Sequence, residues 1–147
     1  MIKTQTTAPD FNLLNQNKEE IKLSDYKDKI VLLYFYPKDD TPGCTKEACA
    51  ITEVYDDFLK AEITVLGVST DSPESHIKFR NKYNIPFDLL SDSKKEVIKK
   101  YEAVGILGLT KRISYLIKNG IIIKIYSKVD PANHALEILK DINIFKN

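Results

Sequence analysis

Apolar positions in this chain fall into two kinds of run. Lys29 to Tyr36, KIVLLYFY, and Ile63 to Ser69, ITVLGVS, are short and almost continuously apolar. Runs of that length predict strands buried on both faces. Between them, Ile51, Val54, Tyr55, Phe58 and Leu59 recur at helical spacing and predict one helix over Thr45–Lys60. Upstream, polar residues near Asn15 to Glu20 separate Phe11-Asn12-Leu13 from Ile21-Lys22-Leu23, the pattern of a hairpin-type connection. Downstream, Asp71 or Ser72 can cap a helix that has Pro73 at its first position and runs to about Tyr83. Phe87 to Leu90 reads as a short strand and Ser93 to Tyr101 as a helix. Ile113–Ile117 and Ile121–Tyr126 flank Lys118-Asn119-Gly120, whose Asn-Gly pair is a hairpin signal. Pro131 opens a last helix, with Leu136, Leu139 and Ile142 expected on one face.

Strands and helices thus alternate through the first half, and a hairpin follows. Alternation implies parallel strands joined by crossover helices, and the hairpin adds antiparallel ones. The expected fold class is α/β, a mixed central sheet flanked by helices on both faces. There are no repeats, low-complexity tracts or glycine-serine linkers, and 147 residues suit a single domain, 1–147.

Composition narrows the function classes. The chain is 43% hydrophobic and 29% charged, with a net charge of +1. That balance supports neither a nucleic-acid surface nor a polybasic membrane patch. The opening MIKTQTTAPDF lacks the apolar core of a signal peptide, and no apolar run reaches bilayer-crossing length. A cytoplasmic location is expected. A standing structural disulfide is rare there, so cysteines should be bland, metal-binding or redox-active.

The chain has two cysteines, and both fall in TPGCTKEAC, Thr41 to Cys49. Pro42-Gly43 closes the loop after KIVLLYFY, which places Cys44 in the first turn of a helix. Helix N-termini carry unpaired amides and partial positive charge, and both favour a thiolate, the nucleophilic form of sulfur. An ordinary thiol is only roughly 3% ionised at pH 7. On an intact helix, five residues separate the α-carbons of Cys44 and Cys49 by roughly 8.7 Å, beyond the approximate 7 Å limit for a disulfide. Periodicity puts Cys44 near the apolar face and Cys49 on the polar face with Glu53 and Asp56. Any bond between the two sulfurs therefore requires the first turns to unwind. The bland alternative is a pair of small buried hydrophobes. Zinc usually takes four ligands, and His76 and His134 have no ligand-like spacing, so no metal and no cofactor is expected.

YFYPKDDTPGCTKEAC, Tyr34 to Cys49, closely resembles the active-site segment of peroxiredoxins, and within them the bacterioferritin comigratory protein or peroxiredoxin Q branch. The pattern of Pro, three residues, Thr, two residues, Cys is met by Pro37, Thr41 and Cys44, and the second cysteine five positions on marks the branch. VLGVSTDSPESH (Val65 to His76), FDLLSD (Phe87 to Asp92) and KRISYLIKNG (Lys111 to Gly120) match as well. The resemblance implies a thioredoxin-like fold and thiol-dependent reduction of hydrogen peroxide and organic hydroperoxides, an atypical 2-Cys peroxidase. It assigns Cys44 as the peroxidatic residue and Cys49 as the resolving one, joined in an intrachain disulfide that thioredoxin or a similar dithiol reopens. Thr41 is expected to hydrogen-bond the sulfur and the peroxide, Pro37 to shield the site, and Arg112 to hold the thiolate and polarise the peroxide. The branch implies a monomer. A protein disulfide reductase or a non-enzymatic redox switch on the same fold are the competing functions.

Several neighbours have plainer expectations. Asp39 and Asp40 should face solvent, and Lys111 should be solvated. Glu47 should be a first-turn charge complementing the helix dipole, and His134 a surface residue early in the last helix. Tyr34, Phe35 and Tyr36 should be core and site wall.

Overall fold

The two apolar runs lie side by side at the middle of the sheet. In the computed structural model, which describes the backbone of residues 2–146 and side chains as far as Asn143, they form β3 (Ile30–Phe35) and β4 (Ile63–Ser69). They pair in parallel from Ile30↔Ile63 to Phe35↔Val68. All six residues of β3 are buried. Alternate side chains serve two cores: Leu32 and Tyr34, with Tyr36, on one face, and Val31, Leu33 and Phe35 on the other. Each such side chain withdrawn from water stabilises the fold by about 1.5–3 kcal/mol.

The first core is closed by α1 (Pro42–Glu53), α2 (Tyr55–Lys60), α3 (Pro73–Tyr83) and α5 (His134–Lys146). The second is closed by α4 (Glu96–Lys100) and by Phe11 and Leu23 from the N-terminal segment. With β1 (Asn12–Leu14), β2 (Glu20–Lys22), β5 (Asp88–Ser91), β6 (Ile113–Lys118) and β7 (Ile121–Tyr126), the sheet has seven strands in the order β2-β1-β5-β4-β3-β6-β7. The pairs β3–β4 and β4–β5 are parallel; β1–β2, β1–β5, β3–β6 and β6–β7 are antiparallel. The expected mixed sheet with helices on both faces is therefore present. Asn119 and Gly120 both adopt positive φ, 52° and 74°, as a tight hairpin turn between β6 and β7 requires.

Four local expectations need correction. The helix expected over Thr45–Lys60 starts earlier, at Pro42, and is interrupted at Val54, whose φ of −112° and ψ of 21° leave the helical region. Three β-branched residues, Ile51, Thr52 and Val54, meet there, and the Thr52 hydroxyl donates to the Ala48 carbonyl at 2.7 Å, a contact that bends helices. The helix expected over Ser93–Tyr101 is confined to α4, because Lys95 sits at φ 60° and the Asp92 carboxylate takes the Ile98 amide at 2.7 Å. In α5 the buried stripe is Ala135, Ile138 and Ile142, at i, i+3 and i+7, while Leu136 is exposed. His134 is not a surface residue. It is buried against β6 and β7, with Nε2 2.8 Å from the Ser114 hydroxyl and its ring edge-on to Tyr126.

This topology builds one end of the sheet into a site. β3 delivers the chain to the loop before α1. β6 runs antiparallel beside it, and the pairing Phe35↔Ile113 sets Arg112 next to the point where β3 ends.

Candidate active site

The Tyr36 amide still donates to Val68 at 3.1 Å, continuing the β3–β4 ladder. Pro37 has no amide hydrogen, so the ladder cannot go further. The chain then turns through residues 37–41 and enters α1 with Thr41 at the N-cap position in extended conformation, φ −103° and ψ 156°. The Thr41 hydroxyl donates to the Lys38 carbonyl at 2.8 Å rather than serving as the cap. That bond within the loop commits the hydroxyl's proton and leaves its lone pairs free to accept. Pro42 occupies the first turn, where its missing amide costs nothing. Cys44 follows, almost wholly buried at 1% exposure, and Cys49 lies half-buried further along the same uninterrupted helix. Both are free thiols.

Arg112 reaches this turn from 68 positions away in sequence. Its Nη2 stands 3.4 Å from Cys44 Sγ, and its Nη1 donates to Glu47 Oε1 at 2.8 Å. One guanidinium therefore bridges the sulfur and a carboxylate on the same helix face. Gly43 makes this possible, because a Cβ there would stand 2.9 Å from Nη2. Glu47 is completely buried, and its second oxygen has no hydrogen-bond partner among the described residues. Burial pushes its carboxyl up from 4.5 to about 7, although Arg112 pulls the other way. The expectation of a first-turn charge complementing the helix dipole is overturned, because α1 starts at Pro42 and Glu47 is buried past its first turn. Glu47 lies three residues after Cys44 and shares its buried face with Ala48 and Ile51. That i+3 spacing was the signal in the sequence, since the face that buries Cys44 must bury Glu47 too.

The Tyr34 hydroxyl is likewise buried without a partner, and its pKa is raised well above the ordinary range, chiefly by burial and then by the negative charge of Glu47 and Cys44. Tyr34 is thus core and site wall at once, stacked on Tyr36 with ring centroids 5.4 Å apart. Pro37 is half-buried beside it. Asp39 also departs from expectation: it is buried, whereas Asp40 is exposed and pairs with Lys82 at 2.8 Å. Lys111 is exposed, as expected. Two clefts, of about 820 and 420 Å³, lie at the opposite end of the sheet around Ile30, Ile63 and Asn119 and include none of these residues.

The comparisons with known proteins agree with one another. Residues 4–125 match the model of the AhpC/TSA family. The chain is 40% identical over 147 aligned positions to the peroxiredoxin Bcp of Bacillus subtilis, covering 92% of this chain and 94% of that one. It is 42% identical over 145 positions to the chloroplastic peroxiredoxin Q of Sedum lineare, covering 96% and 78%. The solved structure of the Xanthomonas campestris bacterioferritin comigratory protein superposes with a TM-score of 0.89 at 28% identity, covering 93% and 92%. The chain belongs to the peroxiredoxins of the AhpC/TSA family. Its sheet is accordingly the thioredoxin-like one, and its enzyme class is thiol peroxidase.

In this peroxiredoxin Cys49 sits in a setting unlike that of Cys44. Partial burial and then the Glu53 carboxylate push its thiol up from the ordinary range. Among the described residues, no helix is long and apolar enough to cross a membrane.

Proposed function

We propose that Cys44 is the peroxidatic residue and Cys49 the resolving one, in a cytoplasmic, monomeric peroxidase recycled by thioredoxin or a similar dithiol. The observation that carries this reading is the Arg112 fork, with one arm 3.4 Å from the Cys44 sulfur in the first turn of α1. A thiolate at Sγ faces that guanidinium and the partial positive charge of the helix end. The sulfur attacks the nearer peroxide oxygen; an S–O bond forms as the O–O bond breaks, and Cys44 becomes a sulfenic acid. The departing hydroxide or alkoxide takes a proton and leaves as water or alcohol. Low thiol pKa alone does not suffice for this step, because nucleophilicity falls with it; orientation supplies the remainder.

Arg112 and the open amides of the first turn are the donors that meet charge developing on oxygen. Thr41 Oγ1, its own proton committed to Lys38, accepts from the incoming peroxide. Pro37 closes the pocket against bulk water. The relative from Xanthomonas campestris has been studied for alkyl peroxide reduction, which supports organic hydroperoxides as substrates beside hydrogen peroxide. The sulfur of Cys49 then attacks the sulfenic sulfur, water leaves, and a disulfide forms between residues that α1 holds apart, so the helix must open. A dithiol returns two electrons. Should Cys49 arrive late, a second peroxide carries Cys44 to sulfinic acid.

Mass spectrometry after one equivalent of hydrogen peroxide, with free thiols blocked, tests this directly. The expected product is a single chain with Cys44 and Cys49 bridged. Cys44→Ser should consume no peroxide, and Cys49→Ser should turn over once and stall with thioredoxin. Steady-state activity in the Cys44→Ser protein would overturn the assignment.

A further inference from the structure

Asp39 lies between Pro37 and Thr41 in the catalytic loop, yet its carboxyl is buried against α3. The side chain is 4% exposed. Oδ1 accepts the Tyr36 hydroxyl at 2.6 Å; Oδ2 accepts the Ser75 hydroxyl at 2.8 Å and lies 2.7 Å from His76 Nδ1. On its other edge, His76 Nε2 stands 3.0 Å from the Leu90 carbonyl oxygen. A carbonyl only accepts, so Nε2 carries the proton that meets Leu90, and Nδ1 is left to share a hydrogen bond with the Asp39 carboxyl. The Asp39 amide in turn donates to Asp71 at 2.8 Å, and the same Asp71 oxygen accepts the Ser69 hydroxyl at 2.7 Å.

Desolvating a histidine-carboxylate pair is expensive, and an apolar pair would pack α3 as well. What this pair supplies that an apolar one cannot is direction. It ties the loop ahead of Cys44 to the end of β4, the first turn of α3 and β5. The stretch behind Cys44 is held differently. Among the described residues, Glu47 with Arg112 is the one side-chain ion pair between Thr45 and Cys49. One flank of the peroxidatic cysteine is therefore held by a buried cluster of side chains, and the other by α1 and a single ion pair.

We propose that Asp39, clamped by His76, Ser75 and Tyr36, is a positioning residue that fixes the Pro37–Thr41 loop, so that opening after oxidation is confined to the helix behind Cys44. The proposal rests on Cys44 and Cys49 acting as assigned above. The clamp favours the closed site, which oxidises Cys44 quickly, and it resists the opening that lets Cys49 arrive. Releasing it should slow oxidation and speed resolution.

Three variants read this: Asp39→Asn, His76→Asn and Ser75→Ala. The last removes one donor without stranding a buried charge, so it decides the matter if the other two do not fold. Thermal melts followed by circular dichroism establish folding first. In a Cys49→Ser background, trapping of the Cys44 sulfenic acid after one equivalent of hydrogen peroxide gives the oxidation rate. Asp39→Asn and His76→Asn should lower it about tenfold, less than the 10²-fold of an ångström's misplacement, and Ser75→Ala about twofold. With Cys49 present, peroxide titration should require about threefold or more peroxide to convert half of Cys44 to sulfinic acid. A purely structural role would lower the melting temperature and leave that partition unchanged. Folded variants with wild-type oxidation rate and wild-type partition overturn the proposal. If the unmodified protein forms no Cys44–Cys49 bridge, the assignment of Cys49 falls, and the rate in the Cys49→Ser background still decides the clamp.

Discussion

Replacing Glu47 by glutamine isolates what it costs to set two acidic groups around one guanidinium. Glu47 is wholly buried, with one oxygen 2.8 Å from Arg112 and the other without a partner among the described residues. Its carboxyl holds a proton in the fold up to about 7, while an unfolded chain releases it near 4.5. The folded pKa is the higher one, so the stability contributed is fully present below the unfolded value. It declines as pH rises and is gone above about 7. At about 1.4 kcal/mol for each pH unit, the wild type loses on the order of 3 kcal/mol across that window. Glutamine does not titrate. The difference in unfolding free energy between the two proteins should therefore change by about 3 kcal/mol between pH 4.5 and about pH 8. Urea unfolding at stepped pH, followed by far-ultraviolet circular dichroism, measures it. A constant offset from altered hydrogen bonding does not disturb the comparison. Curves that stay parallel to within about 0.5 kcal/mol would refute the placement of a neutral, buried carboxyl beside Arg112. In the same variant the rate of Cys44 oxidation should lose any inflection near pH 7, because Arg112 then serves the sulfur alone.

Gly43→Ala should separate stability from activity: a helical alanine adds about 0.5–1 kcal/mol, but its Cβ would meet Arg112 Nη2 at 2.9 Å, so peroxide consumption should fall while the melting temperature holds or rises. Arg112→Lys keeps the charge and loses the fork, so it can serve either Glu47 or Cys44; oxidation of Cys44 should slow by about 10²-fold in stopped-flow assays. The face of α5 is checked by Ile138→Ala, expected to cost about 2–5 kcal/mol in urea unfolding, against Leu136→Glu, expected within about 0.5 kcal/mol of wild type.

Cys44 and Cys49 stood out because they lie in one short segment at the start of a helix, whereas Pro37 and Thr41 were named through the family pattern in that segment. Arg112 could be named only through the family pattern in KRISYLI; nothing local to it marks a cation aimed at sulfur. Three residues with bland expectations turned out otherwise. Glu47 follows the periodicity that already buried Cys44, and the charge of a carboxylate argued against the inward face that the helix imposed. Asp39 and His76 are 37 positions apart and meet because α3 packs beside the loop after β3. His134 is buried because the first turn of α5 lands on β6, a contact absent from its local sequence.

By itself the sequence determined the two central strands, the hairpin at Asn119-Gly120 and the pair of cysteines too far apart to bond on an intact helix. These are short-range matters: periodicity, turn chemistry and the rise of a helix act within a few residues. Tertiary structure decided which charges go inside and what they face. The antiparallel run of β6 beside β3 brings Arg112 to Cys44 and gives the buried Glu47 its partner, and the parallel crossover through α3 gives Asp39 a histidine. A buried charge is tolerable only with a partner, and such a partner is supplied by pairing between distant strands, which no local window of sequence contains.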